Sequence, residues 1–500
     1  MTPGFVGVLF GTIGIVLGAM VLVGQALRRD PWWLFRRQPR NSLAWMLALL
    51  FAAWQLGRAW NSTGHVTCDF ACQWLLGRMF ATGQAGDLYL IKPQRAVLAE
   101  GYQGADLDKL VRDILWKGQQ KSDEGIEGPL YPPTHGLLMM PFAVLDPRAA
   151  HAVLTLVYVQ LVFVSGLLIG DLTRWRIQGG EAVLVCLVFP NFSGGIVLGQ
   201  NSSLTLALVT AGWWLWAKDR PLLAGLTWGL LAYKPVFAVA VVCVPVLWLN
   251  VRCLAGMASS GAGLVLATLP WCGWHSWVRW LSVGQNAAEI YARDRNWIWM
   301  SRDLIGLPRR QMWDWEHFWQ HLELVTAQRE WDPATLQLVD TSWSATVAGL
   351  ALWLGVWAVT FAVGFAACWR YRRLGLFPAF GPQPAFVWFG FLLSVYHYMH
   401  YDMQVQALPM CLFLAAADRL RRPGQAALVI LNAALAYCHL DLSIGHGSLR
   451  IPFELFLVLA AWLWTGMASL TALWEPLATG KRLMSGEAKT IDGAGTVRYP

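Results

Sequence analysis

Apolar residues in this chain come in runs of roughly 15–25, the length a helix needs to cross a hydrocarbon core about 30 Å thick. Between the runs, short loops rich in arginine and lysine alternate with polar turns that carry few basic residues. The runs predict about thirteen spans. They are 5–27, 43–60, 150–170, 181–197, 202–217, 221–234, 236–250, 254–271, 343–368, 384–396 and 404–417, with two more before a polar tail from residue 475. Two stretches, 61–149 and 272–342, are too long and too polar for simple turns. In the first, residues 104–121 read as a charged helix and Gly125–Pro133 as turns. The apolar piece 136–145 is too short to span and reads as interfacial or re-entrant.

The basic loops fix an orientation. Arg28, Arg29, Arg36, Arg37 and Arg40 follow the first run, and Arg174, Arg176, Lys218, Arg220, Arg252, Arg370, Arg372, Arg373, Arg419, Arg421 and Arg422 all fall on the same side. Positive residues mark the cytoplasmic face, so the N-terminus and both long segments face outward. Residues 5–27 lack a basic stretch ahead of them and are long enough to span, so no cleaved leader is expected. The expected architecture is an all-α polytopic membrane protein, with one integral-membrane domain over residues 1–474 and a cytoplasmic tail over 475–500.

Composition narrows the class. The chain is 56% hydrophobic and 14% charged, against about 25% charged for soluble domains. Its 31 tryptophans suit membrane–water interfaces, where indole rings settle. The net charge of +8 sits in short inner loops, which reads as orientation rather than nucleic-acid binding. None of the nine cysteines has zinc-type spacing. Cys68 and Cys72 lie one helical turn apart near the outer face. They read as small packing residues, with an oxidised pair as the alternative.

Polar clusters recur at the outer ends of the predicted helices. They are Cys68-Asp69-Phe70, Tyr131-Pro132-Pro133, Gly199-Gln200-Asn201, Lys234-Pro235 and His397-Tyr398-Met399-His400-Tyr401-Asp402. A carboxylate at the water end of an apolar span is costly to place and is a functional candidate. Asp69 suits a general base that takes the proton of an acceptor hydroxyl; as a helix cap or ion-pair partner it would be structural. Lys234 suits a phosphate contact, or simply snorkels to the interface. His397, His400 and Asp402 suit sugar or phosphate orientation, or form a solvated helix end. Gln200 and Asn201 suit hydrogen bonds to sugar hydroxyls, or make the hairpin turn. Tyr131 precedes a proline turn whose first reading is structural. His317 and His321 stand four apart without a zinc signature, so no metal and no cofactor are expected. Arg293, Asp294, Arg295, Arg302 and Asp303 form a charged outer stretch, read as a headgroup site or a solvated loop.

The order of these clusters over residues 45–420 resembles glycosyltransferase family 87. These are polytopic enzymes of the GT-C superfamily that use polyprenyl-phosphate sugars. The resemblance implies a GT-C helix bundle and an inverting mannosyltransferase with its active site outside the cytoplasm. It implies a polyprenyl-phosphate sugar donor, a glycolipid or cell-envelope glycan acceptor, and no nucleotide cofactor or nucleic-acid partner. In the family pattern the acidic residue of the first outer loop is the base, which carries to Asp69. Lys234 and Tyr401-Asp402 carry over as site residues. The chain departs from the pattern in its extra first span and its Trp-rich second outer segment. The rivals are a transporter or lipid flippase, whose polar sites belong near the bilayer midplane, and a non-catalytic envelope scaffold.

Overall fold

The computed structural model describes residues 39–115, 125–190, 192–291, 301–308, 343–444 and 453–474. The expected first span, the tail, His317, His321, Arg293, Asp294, Arg295 and much of the second outer segment lie outside the described residues. The protein is all-helical, with no strand among the described residues.

In chain order the α-helices are α1 (Pro39–Asn61), α2 (Cys68–Ala81), α3 (Ile91–Gly101), α4 (Gly104–Leu110), α5 (Pro133–Met139) and α6 (Pro147–Leu172). There follow α7 (Gly179–Val188), α8 (Phe192–Leu198), α9 (Ser202–Ala217), α10 (Pro221–Gly229) and α11 (Pro235–Leu247). The last are α12 (Val251–Tyr291), α13 (Trp343–Arg373), α14 (Pro382–Leu393), α15 (Ala407–Leu414), α16 (Arg422–Ile444) and α17 (Phe453–Trp474).

Five helices, drawn from α1, α6, α12, α13 and α17, are each long and apolar enough to cross a membrane; the bent pair α7–α8 makes up to six. Several remaining apolar helices are 16 residues or shorter. At about 1.5 Å per residue these reach at most some 24 Å, less than the hydrocarbon thickness. The expected run 181–197 is therefore two helices. Pro190 disfavours helical backbone at the preceding residue, and Phe189 is extended at φ −63° and ψ 143°. The expected run 254–271 instead continues to Tyr291, carrying helix into the second outer segment past Pro270 and a non-helical Gly273. Arg302 also departs from its expectation. It is buried and ion-paired with Glu454 at the start of α17, so it is neither in a solvated loop nor open to a headgroup.

The segment between α1 and α6 packs against α12. Residues 111–115 continue α4 as a short wider helical turn, and α5 has seven residues, too few for a span. Tyr89 Oη donates to the Tyr131 carbonyl at 2.6 Å, and Trp280 Nε1 donates to the Leu130 carbonyl at 2.8 Å. These bonds tie the Tyr131 turn both to the segment and to α12. Trp213, Trp216, Trp228, Trp388 and Phe377 pack as one aromatic cluster at centroid distances of 5.0–6.1 Å.

Candidate active site

Asp69 occupies the first turn of α2 and is half-buried. It is not the cap. Thr67 is the N-cap, and its Oγ1 accepts from Phe70 N at 3.4 Å. A carboxylate in a first helical turn also lies favourably in the helix dipole. The α2 entrance leans on the Gly199-Gln200-Asn201 turn. Gly199 has φ +69°, and a Cβ there would stand 2.8 Å from the Phe70 ring, so only glycine fits.

One turn beyond Asp69, Gln73 is fully buried and joins three elements. Its Nε2 donates to the Gly199 carbonyl at 2.7 Å and to the Asp69 carbonyl at 3.3 Å. Its Oε1 stands 3.1 Å from His135 Nε2 on α5. With the amide committed as donor, Oε1 must accept, so His135 carries its proton on Nε2 and leaves Nδ1 as an acceptor. That Nδ1 is buried with no partner among the described residues. Burial, and secondly the Lys234 charge, hold the His135 ring down to about 3, so it is neutral at ordinary pH. Tyr131 stacks on His135 with centroids 4.2 Å apart and donates from Oη to Gln200 Oε1 at 2.9 Å. Burial and then the nearby Asp69 carboxylate push the Tyr131 phenol well up, so it stays a hydrogen-bond donor.

The second group centres on Asp402, which is fully buried. Lys234 Nζ lies 2.5 Å from Asp402 Oδ1, and Ser202 Oγ donates to the same oxygen at 3.2 Å. The Met399 amide donates to Oδ2 at 3.3 Å. Lys234 Nζ also sits 5.4 Å from the Tyr401 ring centroid, a cation–π contact. His400 is edge-on to Tyr401 at 5.0 Å. His397 has φ +60°, a left-handed conformation uncommon for a side chain of its size. Its ring is held down to about 4 by burial and by Lys234.

The two groups adjoin. Tyr233, next to Lys234, bonds Thr205 Oγ1 at 2.5 Å and donates to the Asn201 carbonyl at 3.3 Å. Its ring lies 5.8 Å from that of His135. Asn201 is fully buried, and both its side-chain polar atoms lack a partner among the described residues, as does Gln200 Nε2. A buried polar group left unmatched costs about 1–3 kcal/mol. Three such groups around one turn mark a place prepared for a polar ligand. Asp69, Tyr131, Gln200, Asn201, Lys234, Tyr401 and Asp402 thus belong to one neighbourhood, and His397 and His400 flank it. Lys234 differs from its sequence reading in that it meets a carboxylate, which balances its charge. Gln73, His135, Ser202 and Tyr233 were not picked out from sequence. His135 had a signal, two residues past the Tyr131 proline turn, whereas Gln73 on an apolar helix had none.

Cys68 Sγ and Cys72 Sγ lie 4.0 Å apart beside this site and are not joined as a disulfide. Among the described residues no group of three or more histidines, cysteines or carboxylates is arranged to hold a metal ion.

No curated protein and no solved structure matches the chain. The sequence profile of glycosyltransferase family 87 matches residues 130–395, more than half of the 500. The matched stretch holds Tyr131, His135, Gln200, Asn201 and Lys234; Asp69 lies ahead of it and Asp402 beyond it. The apolar helices and this match lead to one conclusion: the chain belongs to glycosyltransferase family 87 and is a membrane glycosyltransferase.

Proposed function

We propose that this glycosyltransferase moves a hexose, mannose in the family's commonest case, from a polyprenyl-phosphate donor to a glycolipid or cell-envelope glycan. The reading includes a GT-C type helix bundle. Residues 1–474 form the catalytic membrane domain, residues 475–500 the cytoplasmic tail. The protein sits in the inner, plasma membrane with its site on the outer side.

The chemistry follows from the groups available. Asp69 takes the proton of the acceptor hydroxyl as that oxygen attacks C1 of the sugar. The C1–O bond to phosphate breaks on the opposite face, its electrons leave with the polyprenyl phosphate, and the anomeric configuration inverts. A lipid phosphate is already a good leaving group, so the protein's task is positioning and charge stabilisation. Gln200, Asn201 and the His135 acceptor suit sugar hydroxyls. The Lys234–Asp402 pair, with Tyr401, braces the opposite wall, and His397 and His400 lie toward the phosphate side.

The observation that carries this reading is the placement of Asp69. It is a half-buried carboxylate that does not cap its helix and whose field reaches Tyr131, beside a turn rich in unmatched buried polar atoms. The test is an assay of the purified protein with a panel of polyprenyl-phosphate sugars and, separately, nucleotide sugars. Transfer from a polyprenyl-phosphate hexose alone is expected. Transfer from nucleotide sugars in place of lipid-linked ones overturns the donor assignment.

A further inference from the structure

Arg58 and Gln55 lie one turn apart near the outer end of α1, away from the clusters picked out in the sequence. Arg58 Nη1 donates to Ser193 Oγ on α8 at 2.6 Å. Ser193 Oγ spends its one hydrogen on Gln55 Oε1 at 2.7 Å. Both bonds have a direction, because a guanidinium only donates and a hydroxyl has a single proton. The Gln55 amide nitrogen is therefore turned away from Ser193. It is buried with no acceptor among the described residues, and Gln55 is 0% exposed. Arg58 is half-buried, and no carboxylate among the described residues pairs with it. The other cation of the site, Lys234, is already matched by Asp402. Turning the Gln55 amide over would only move the surplus hydrogen onto Ser193. Either way, among the described residues the cluster holds more donors than acceptors and one unbalanced positive charge.

The cluster also adjoins residues of the candidate site. On α8, the next residue after Ser193 is Gly194, where a Cβ would stand 3.6 Å from His400 Nε2. At its other end α8 meets the cap of the Asp69 helix, where Thr67 Oγ1, which donates to the Gly64 carbonyl at 2.7 Å, lies 3.3 Å from the Leu198 carbonyl. From Ser193 to Leu198 is about 8 Å of helix. A base and a leaving phosphate on opposite faces of one sugar ring need a separation of that order.

We infer that Arg58 and Gln55 bind the phosphate of the lipid-linked donor. This rests on the donor class proposed above. Arg58 supplies a forked, charge-assisted contact, and Gln55 adds a neutral hydrogen bond to the same anion.

The experiment uses the full-length purified protein in nanodiscs, with polyprenyl monophosphate, phosphatidate and inorganic phosphate as separate probes. Wild-type protein is expected to bind polyprenyl monophosphate, and Arg58→Gln to weaken that binding at least tenfold and raise the donor KM in parallel, leaving the acceptor KM unchanged. Gln55→Glu is the decisive second variant. It supplies the missing carboxylate, so it should hold or raise the melting temperature while weakening phosphate binding, which a purely structural role for Arg58 does not produce. If wild-type protein binds and transfers from the lipid donor, and both variants bind polyprenyl monophosphate as tightly as wild type, the Arg58 assignment is overturned and the donor reading stands. If phosphatidate or inorganic phosphate binds as tightly as polyprenyl monophosphate, the cluster is a general anion site and the assignment fails. If wild-type protein neither binds polyprenyl monophosphate nor uses any polyprenyl-phosphate sugar, both fall together.

Discussion

Lys234 and Asp402 are 168 residues apart in sequence, yet Nζ of one lies 2.5 Å from Oδ1 of the other, with Asp402 fully buried. The pair joins the start of α11 to the turn before α15. Removing one partner strands a buried charge, which typically costs about 3–5 kcal/mol, whereas removing both leaves none. Asp402→Ala is therefore expected to lower thermal stability sharply, and Lys234→Met with Asp402→Leu to recover much of the loss. Melting curves of the three proteins in one detergent check this. Equal destabilisation of single and double variants would show that the pair does not act as a unit.

Gln73 links α2, the Gly199 turn and α5. Gln73→Leu leaves the Gly199 carbonyl and the His135 N–H unmatched in a buried place, at about 1–3 kcal/mol each. The expected result is a clear fall in melting temperature together with a fall in turnover, because the Asp69 helix loses its register against the Gln200 turn. A Gln73→Leu protein with unchanged stability contradicts the network described here.

His135 makes stability pH-dependent. Its ring is held down to about 3 when folded, against 6.5 for an ordinary histidine. As pH falls through 6.5 the unfolded chain takes up a proton that the folded protein refuses. Its contribution to stability is therefore complete above that pH and is lost as pH falls toward 3, by up to about 1.4 kcal/mol per pH unit. His135→Gln keeps a donor near Gln73 without a titrating ring. Melting temperatures of both proteins between about pH 7.5 and 5 should show a steeper acid loss in wild type than in the variant. Parallel curves contradict the assignment.

Orientation is tested by labelling intact cells with a membrane-impermeant thiol reagent. A cysteine at Asp106, exposed on α4, is expected to react above the wild-type background, and one at Leu374, 46% exposed just after α13, is not. Labelling at 374 reverses the topology and removes the outward-facing site.

The long spans were legible because hydropathy alone defines them. The expected runs 43–60, 150–170 and 343–368 correspond to α1, α6 and α13 within a few residues, and 202–217 to α9, which is shorter than a span. The break at Pro190 and the continuation of α12 past Pro270 were not legible, since a proline bends, ends or merely interrupts a helix according to what packs around it. The outer clusters could be read as a set because polar residues at the ends of apolar runs stand out. Their partners could not. Gln73 and Gln55 lie on apolar helices, and only the tertiary fold shows which carbonyl or hydroxyl each one meets. Arg302 looked like part of a charged loop, and only the return of α17 makes it a buried ion pair.

Asp69→Asn tests the central claim most directly. Thr67 rather than Asp69 caps α2, so the substitution keeps the cap and the side-chain size, and the helix-dipole contribution it alters is about 0.3–1 kcal/mol. Asparagine cannot take a proton, and loss of a positioned base lowers rates by about 10²–10⁴-fold. Turnover with a polyprenyl-phosphate hexose and the melting temperature are measured on one preparation. The expected result is a near-wild-type melting temperature with turnover lower by that factor. A folded Asp69→Asn protein with wild-type turnover contradicts the assignment of Asp69 as the base.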